Sequence, residues 1–204
     1  MTRHLKEFLA GYNQPLDSYE RLSFTDLDFP FEIHAQYFLE IAEKDLLMDD
    51  LRGNINALTN AKRAVDCQIE AIIEVLSLKK EKHFPAKIER IKEVGLVAPR
   101  VLTRINKLRN LLEHEFVSPS RTAVEDYVDI ANLFIELSNG VFRMYAWQFA
   151  VYDKRTYGDK NGIRVNLNRE DNSMEVIMYN ADGKTSTCII RPTDREYIAL
   201  VRLA

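Results

Sequence analysis

The chain of 204 residues holds 2 cysteines, 7 glycines, 6 prolines, 1 tryptophan and 4 histidines, and each scarcity removes a class of protein. Cys67 and Cys188 lie in segments of different expected texture and show no metal-ligand spacing, so neither a disulfide framework nor a zinc site is expected. Few glycines and prolines, with 46% hydrophobic and 29% charged residues, exclude fibrous and disordered classes. No apolar run approaches the ~20 residues of a membrane-spanning helix. The N-terminus, Met1 to Leu9, is too polar for a secretory signal, so a cytoplasmic protein is expected. There is no glycine-rich phosphate loop and no nucleophile elbow, and no serine or cysteine stands beside a convincing catalytic base.

What the chain does have is helical periodicity. Residues 1–31 carry Gly11, Pro15 and Pro30 among scattered aromatics and are expected to form an irregular lead-in. Ile33, Tyr37, Phe38, Ile41 and Met48 suit one amphipathic helix, which Gly53 would end. Ile55, Leu58, Ala61, Val65, Ile69, Ile72 and Leu76 alternate steps of three and four and lay one stripe along the clearest helix of the chain. Pro85 opens a short helix that Gly95 closes. Ala98 and Pro99 begin another, which Ser118 and Pro119 break. A last long helix runs from Ser120 towards Trp147, with Val124, Val128, Ala131 and Ile135 on one side. Short connections and apolar stripes that must be buried predict an antiparallel helical bundle over residues 32–147.

Beyond Trp147 the texture alternates, as in Ile163, Val165 and Leu167, and Asn161-Gly162 and Asp182-Gly183 are tight-turn dipeptides. A small C-terminal antiparallel β appendage is expected over residues 148–204; its end, Tyr197 to Leu203, reads as a helix with a capping box of Thr193 and Glu196 or, alternatively, as an edge strand. The expected fold class is therefore mainly α, a helical bundle with a minor β subdomain.

Charge is uneven although the formal net charge is only −3. Residues 1–50 carry 4 basic and 11 acidic side chains, whereas residues 79–121 carry 11 basic and 5 acidic ones. The basic stretch contains the most reactive cluster of the chain, Arg109, Asn110 and His114. On a helical wheel Val101, Ile105, Leu108 and Leu112 fall within about 60° and form a buried face. Thr103, Lys107, Asn110 and His114 fall within about 60° on roughly the opposite side. Asn110 and His114, four apart, can meet, and Arg109 can bend towards them. Such a trio suits RNA cleavage: histidine exchanges protons near neutral pH, and arginine offers a charged fork to phosphate oxygens. Reliance on the 2′-hydroxyl would restrict the substrate to RNA, with no DNA specificity. The plainer alternative is a surface ion pair of Arg109 with Glu113 beside an exposed His114. Asp66 and Glu70 are candidates to orient Arg109 across the bundle. His34 and His83 lack further ligands at metal spacing, so no metal or other cofactor is expected.

The stretch from Leu108 to Phe116, with Arg109 five positions ahead of His114 and a polar Asn110 after the arginine, resembles the active-site signature of HEPN-domain ribonucleases. The resemblance covers residues 32–147. It implies a metal-independent endoribonuclease in which Arg109 and His114 are catalytic, Asn110 is their polar companion, and Lys107, Thr103 and Arg104 contact RNA. It also implies a homodimer with two motifs across one cleft, in a toxin, stress-response or phage-defence setting, with a cognate antitoxin protein as a further partner. Many toxin members have a tyrosine two residues after the histidine, which a partner nucleotidyltransferase modifies. Phe116 stands there and has no hydroxyl, which puts that form of neutralisation in doubt. Two other readings stay open: a non-catalytic helical adaptor, and a module that binds RNA without cutting it.

Overall fold

The computed structural model describes residues 2–11, 18–96, 102, 107, 110, 117–152, 162–179 and 184–204. The chain divides into two compact units, one of Leu27–Phe142 and one of Met1–Asp26 with Arg143–Ala204.

The first unit is helical: α2 (Ala35–Leu46), α3 (Leu51–Val75), α4 (Phe84–Glu93), α5 (Arg121–Ser138) and the turn α6 (Gly140–Arg143) at its end, α1 belonging to the other unit. Leu102, Lys107 and Asn110 are also helical. The long α3 is central and packs against α2, α4 and α5. Its stripe is buried as the spacing predicts, from Leu58 through Ala61, Val65, Ile69 and Ile72 to Leu76. Ala57, Ala64 and Ala71 are buried beside it, small side chains that let neighbouring helices approach. On α2 the buried residues are Ala35, Leu39 and Ala42, whereas Ile33, Tyr37 and Met48 are exposed. The expected stripe of that helix was thus drawn through the large residues, while the small ones face α3.

Local chemistry fixes each helix end. Asp50 caps α3 by accepting a hydrogen bond from the Gly53 amide at 2.6 Å. At its other end Ser77 takes a left-handed conformation (φ 48°), and the amides of Ser77 and Leu78 donate to the carbonyls of Glu74 and Ile73. Gly95 (φ 86°) repeats this arrangement after α4, its amide donating to Lys92 and that of Leu96 to Ile91. Ser120 caps α5 through the Ala123 amide at 3.3 Å. In the α2–α3 hairpin, Asn60 Nδ2 donates to Asp45 Oδ2 at 2.9 Å. The buried Gln68 amide donates to Ser138 Oγ at 2.8 Å and to Asn139 Oδ1 at 3.1 Å, joining α3 to the end of α5.

Gly53 does not end α2, as expected, but lies in the first turn of α3, where space requires a glycine. A Cβ there would lie 2.5 Å from the Asp45 carbonyl oxygen and 3.0 Å from Met48 Cβ. Gly53→Ala is therefore expected to destabilise the protein by about 1–3 kcal/mol, although alanine favours a helix interior by roughly 1 kcal/mol. Urea unfolding of the two proteins measures the difference.

The second unit is built on a five-stranded antiparallel sheet in the order β1 to β5. Its strands are β1 (Ser18–Thr25), β2 (Tyr145–Tyr152), β3 (Gly162–Leu167), β4 (Met174–Tyr179) and β5 (Thr185–Ile190), with helices α1 (Thr2–Gly11) and α7 (Tyr197–Val201). The mainly-α expectation is corrected by this sheet: the chain is an α/β protein, not a helical bundle with a small β appendage. Two segments account for the difference. Residues 18–25, read as irregular, form an edge strand that pairs with β2 from Ser18 opposite Tyr152 to Thr25 opposite Tyr145. Tyr145, Ala146 and Trp147, read as the end of the last long helix, begin β2, because α5 stops at Ser138.

One face of the sheet is apolar and buried, with Phe149, Val151, Ile163, Val165, Met174, Val176, Met178, Cys188 and Ile190. The same unit buries Leu5 of α1 and Tyr197, Leu200 and Val201 of α7. Between β3 and β4 the turn is held by the Asn168 amide on the Ser173 carbonyl at 2.8 Å, with Asn172 in the left-handed region at φ 54°. The expected capping of the last helix by Thr193 and Glu196 is not made: α7 starts after Glu196 with no side-chain cap, and in the turn before it Asp194 Oδ2 accepts from the Arg191 amide at 2.7 Å. Among the described residues no helix is long and apolar enough to cross a membrane.

Candidate functional site

Arg109, His114, Thr103 and Arg104 lie outside the described residues, as do Phe116 and Glu113. Three residues before or within the motif segment are described. Leu102 is helical and fully buried, Lys107 is helical and exposed, and Asn110 is helical and half-buried. On a wheel with 100° per residue, 107 and 110 are 60° apart, and both lie 80° or more from 102. Leu102 thus enters the core of the helical unit, whereas Lys107 faces solvent.

The electrostatic setting differs from what charge counts along the chain suggest. Eight basic residues of the stretch 79–121 are described, and six of them form ion pairs. Lys80 meets Glu74 at 2.6 Å, Lys92 meets Glu89 at 2.6 Å, and Lys87 pairs with Glu70. Arg90, four-fifths buried, is held between Glu81 at 2.8 Å and Glu93 at 2.5 Å, and Lys79 also reaches Glu81 at 3.4 Å. The hydrogen bond from Arg90, with Lys79 behind it, holds the Glu81 carboxyl below its usual range. Arg121 bonds Glu125 at 2.6 Å and approaches Asp49 at 3.8 Å. Much of the basic stretch is therefore neutralised by carboxylates of the same chain, two of them, Glu70 and Glu74, from α3. Exposed pairs of this kind contribute little stability each, but they remove positive potential from the surface.

Asp66 and Glu70, candidates to orient Arg109, have cations of their own: Lys62 at 2.6 Å and Lys87. His34 stacks on Phe29, with ring centroids 4.4 Å apart. Phe29 also meets Phe31 at 5.9 Å and Phe142 at 5.3 Å, so His34 covers the edge of an aromatic group. His83 stands exposed at the start of α4. Among the described residues no three His, Cys, Asp or Glu side chains converge as a metal site. Cys67 is half-buried, and its Sγ donates to the Ile33 carbonyl at 3.4 Å. Burial, with Asp66 beside it, pushes its thiol pKa up, which lowers its thiolate fraction and its reactivity. Trp147 Nε1 donates to Ser23 Oγ at 2.7 Å, so the indole links β2 to β1.

Sequence reasoning missed one surface feature. An open groove of about 490 Å³ is lined by Asp50, Leu51, Arg52, Ile55 and Asn56 at the start of α3, with Leu47 and Leu51 exposed close by in sequence. The signal was the pair Leu47 and Met48 placed in the connection after α2, where apolar residues have no core to enter. In comparisons with known proteins the chain matches no family model, no curated protein and no solved structure.

Proposed function

We propose that the chain is a metal-independent endoribonuclease of the HEPN type, acting as a homodimer on RNA in a toxin, stress-response or phage-defence setting. The observation that carries this reading is the Arg109 to His114 spacing in the sequence, beside a helical, exposed Lys107 and a helical, half-exposed Asn110. On the wheel drawn from sequence, position 114 falls between 107 and 110. In this reading His114 removes the proton of a 2′-hydroxyl, the 2′-oxygen attacks the adjacent phosphorus, and the bond from phosphorus to the 5′-oxygen breaks. The leaving 5′-oxygen takes up a proton, and Arg109 bears against the charge on the non-bridging oxygens. Asn110 orients one of the pair, and Lys107, Thr103 and Arg104 hold the neighbouring phosphates. An antitoxin protein that covers this helix would silence it.

The test is incubation of purified protein with total RNA in EDTA, beside Arg109→Ala and His114→Ala. Cleavage by wild type that is lost in both variants supports the reading. A second reading, a non-catalytic helical adaptor, is favoured by the neutralised basic stretch and by Leu133 and Leu137, which stand 63% and 72% exposed one turn apart on α5. It expects a folded wild type that leaves RNA intact.

A further inference from the structure

The two edges of the sheet are built differently. β1, at one edge, has register shifts between Arg21 and Ser23 and between Ser23 and Thr25, and it carries Glu20 and Arg21. Bulges and charges of this kind stop a strand from pairing with another chain. β5, at the other edge, has neither. It pairs with β4 through six consecutive residue pairs without a shift, from Tyr179 opposite Thr185 to Met174 opposite Ile190. Its sequence, Thr185, Ser186, Thr187, Cys188, Ile189 and Ile190, holds no charge and no proline. Its outward backbone groups have no hydrogen-bond partner among the described residues. Thr185, Thr187 and Ile189 are exposed on one face, Ile189 to 48%.

We infer that β5 is an interaction edge that pairs antiparallel with β5 of a second copy of this chain. The occupant follows from the chemistry of the two edges. Antiparallel self-pairing about a two-fold axis sets residues equidistant from the axis opposite one another, so β5 meets its copy with no charge to oppose, whereas the bulges of β1 break such a ladder. Head-to-tail growth from β5 to β1 is blocked by the bulged, charged β1, so association closes at two. The two sheets then form one of ten strands. A two-fold axis perpendicular to the sheet keeps residues of one face together. With the axis at Thr187, that residue lies beside its copy and Thr185 beside Ile189 of the partner. With the axis at Cys188, the two copies of Thr187 are diagonal neighbours, about 7–8 Å apart. In either register a charge at position 187 is close to its copy. This interface does not depend on the Arg109 and His114 motif.

The experiment is sedimentation velocity on the full chain at up to about 100 µM, a range suited to an interface of modest area. Wild type is expected to dimerise. Thr187→Lys and Thr187→Glu, both at an exposed position, are each expected to weaken the dimer at least about tenfold. An equimolar mixture of the two is expected to restore dimers as heterodimers. A monomeric wild type, variants that dimerise as wild type does, or a mixture that stays monomeric would each overturn the inference. If a variant loses its far-ultraviolet circular dichroism, hydrogen exchange on wild type decides. The amides of residues 186–189 are expected to exchange more slowly as concentration rises, and exchange independent of concentration would overturn it.

Discussion

His114→Ala is expected to slow RNA cleavage in EDTA by about 10²- to 10⁴-fold, the range that a positioned proton-transfer group supplies. Arg109→Ala is expected to cost about 10²- to 10³-fold, since it removes the cation facing the developing charge. Arg109→Lys should recover part of that loss, because lysine keeps the charge and loses the planar fork. If both groups act on one transition state, the double variant falls well short of the product of the two single losses. Asn110→Ala should act more weakly, as an orienting group does. Neither single alanine is expected to change folding. The buried contact of this helix recorded in the structure is Leu102, whereas Lys107 is exposed and Asn110 half-exposed. Initial rates on a labelled RNA, with circular dichroism of each variant, separate loss of chemistry from loss of fold.

Raising the pH above 10 is expected to unfold the sheet unit steeply. Tyr145 and Tyr197 are buried, and burial, the largest cause for each, pushes both phenols well above their ordinary value of 10.0. Tyr145 is further raised by the neighbouring phenols of Tyr197 and Tyr19. The direction follows from linkage. Above pH 10 the unfolded chain has released these protons and the folded chain still holds them, so stability is full below pH 10 and is lost as pH rises. Each phenol contributes about 1.4 kcal/mol per pH unit, so the pair removes about 2.7 kcal/mol per unit. Tyr145→Phe should halve that slope. Urea midpoints measured between pH 9 and 11.5 check it, and a midpoint independent of pH in that window would show that these tyrosines ionise in the folded state.

How much of this was legible before the structure depends on how local the signal is. The α3 stripe from Leu58 to Leu76 could be read because the apolar residues that define it are the ones that bury. The helix ends at Ser120 and Gly95 could be read because capping is a matter of one or two residues, whereas the start of α3 at Asp50 was hidden by Gly53, which was expected to end the preceding helix and lies inside α3. On α2 size misled: Tyr37 and Ile33 look like core, but the face against α3 has room for Ala35 and Ala42. The sheet was half hidden because its first pairing joins residues 18–25 to residues 145–152. Ser18–Thr25 mixes Glu20 and Arg21 with exposed Leu22 and Phe24, so no stripe announces a strand. Tyr145–Tyr152 is apolar nearly throughout and reads as well for a helix as for a strand buried on both faces. At the candidate site, the motif and its wheel were visible in sequence. The neutralisation of Lys87 was not, since its partner Glu70 reaches it through the packing of α4 against α3.

The central claim, 2′-hydroxyl chemistry by Arg109 and His114, is tested most directly by the ends of the RNA fragments that wild type makes in EDTA. The account predicts 2′,3′-cyclic phosphates and 5′-hydroxyls, absent from digests with His114→Ala. Intact RNA with folded wild type, or fragments ending in 3′-hydroxyls and 5′-phosphates, would contradict it.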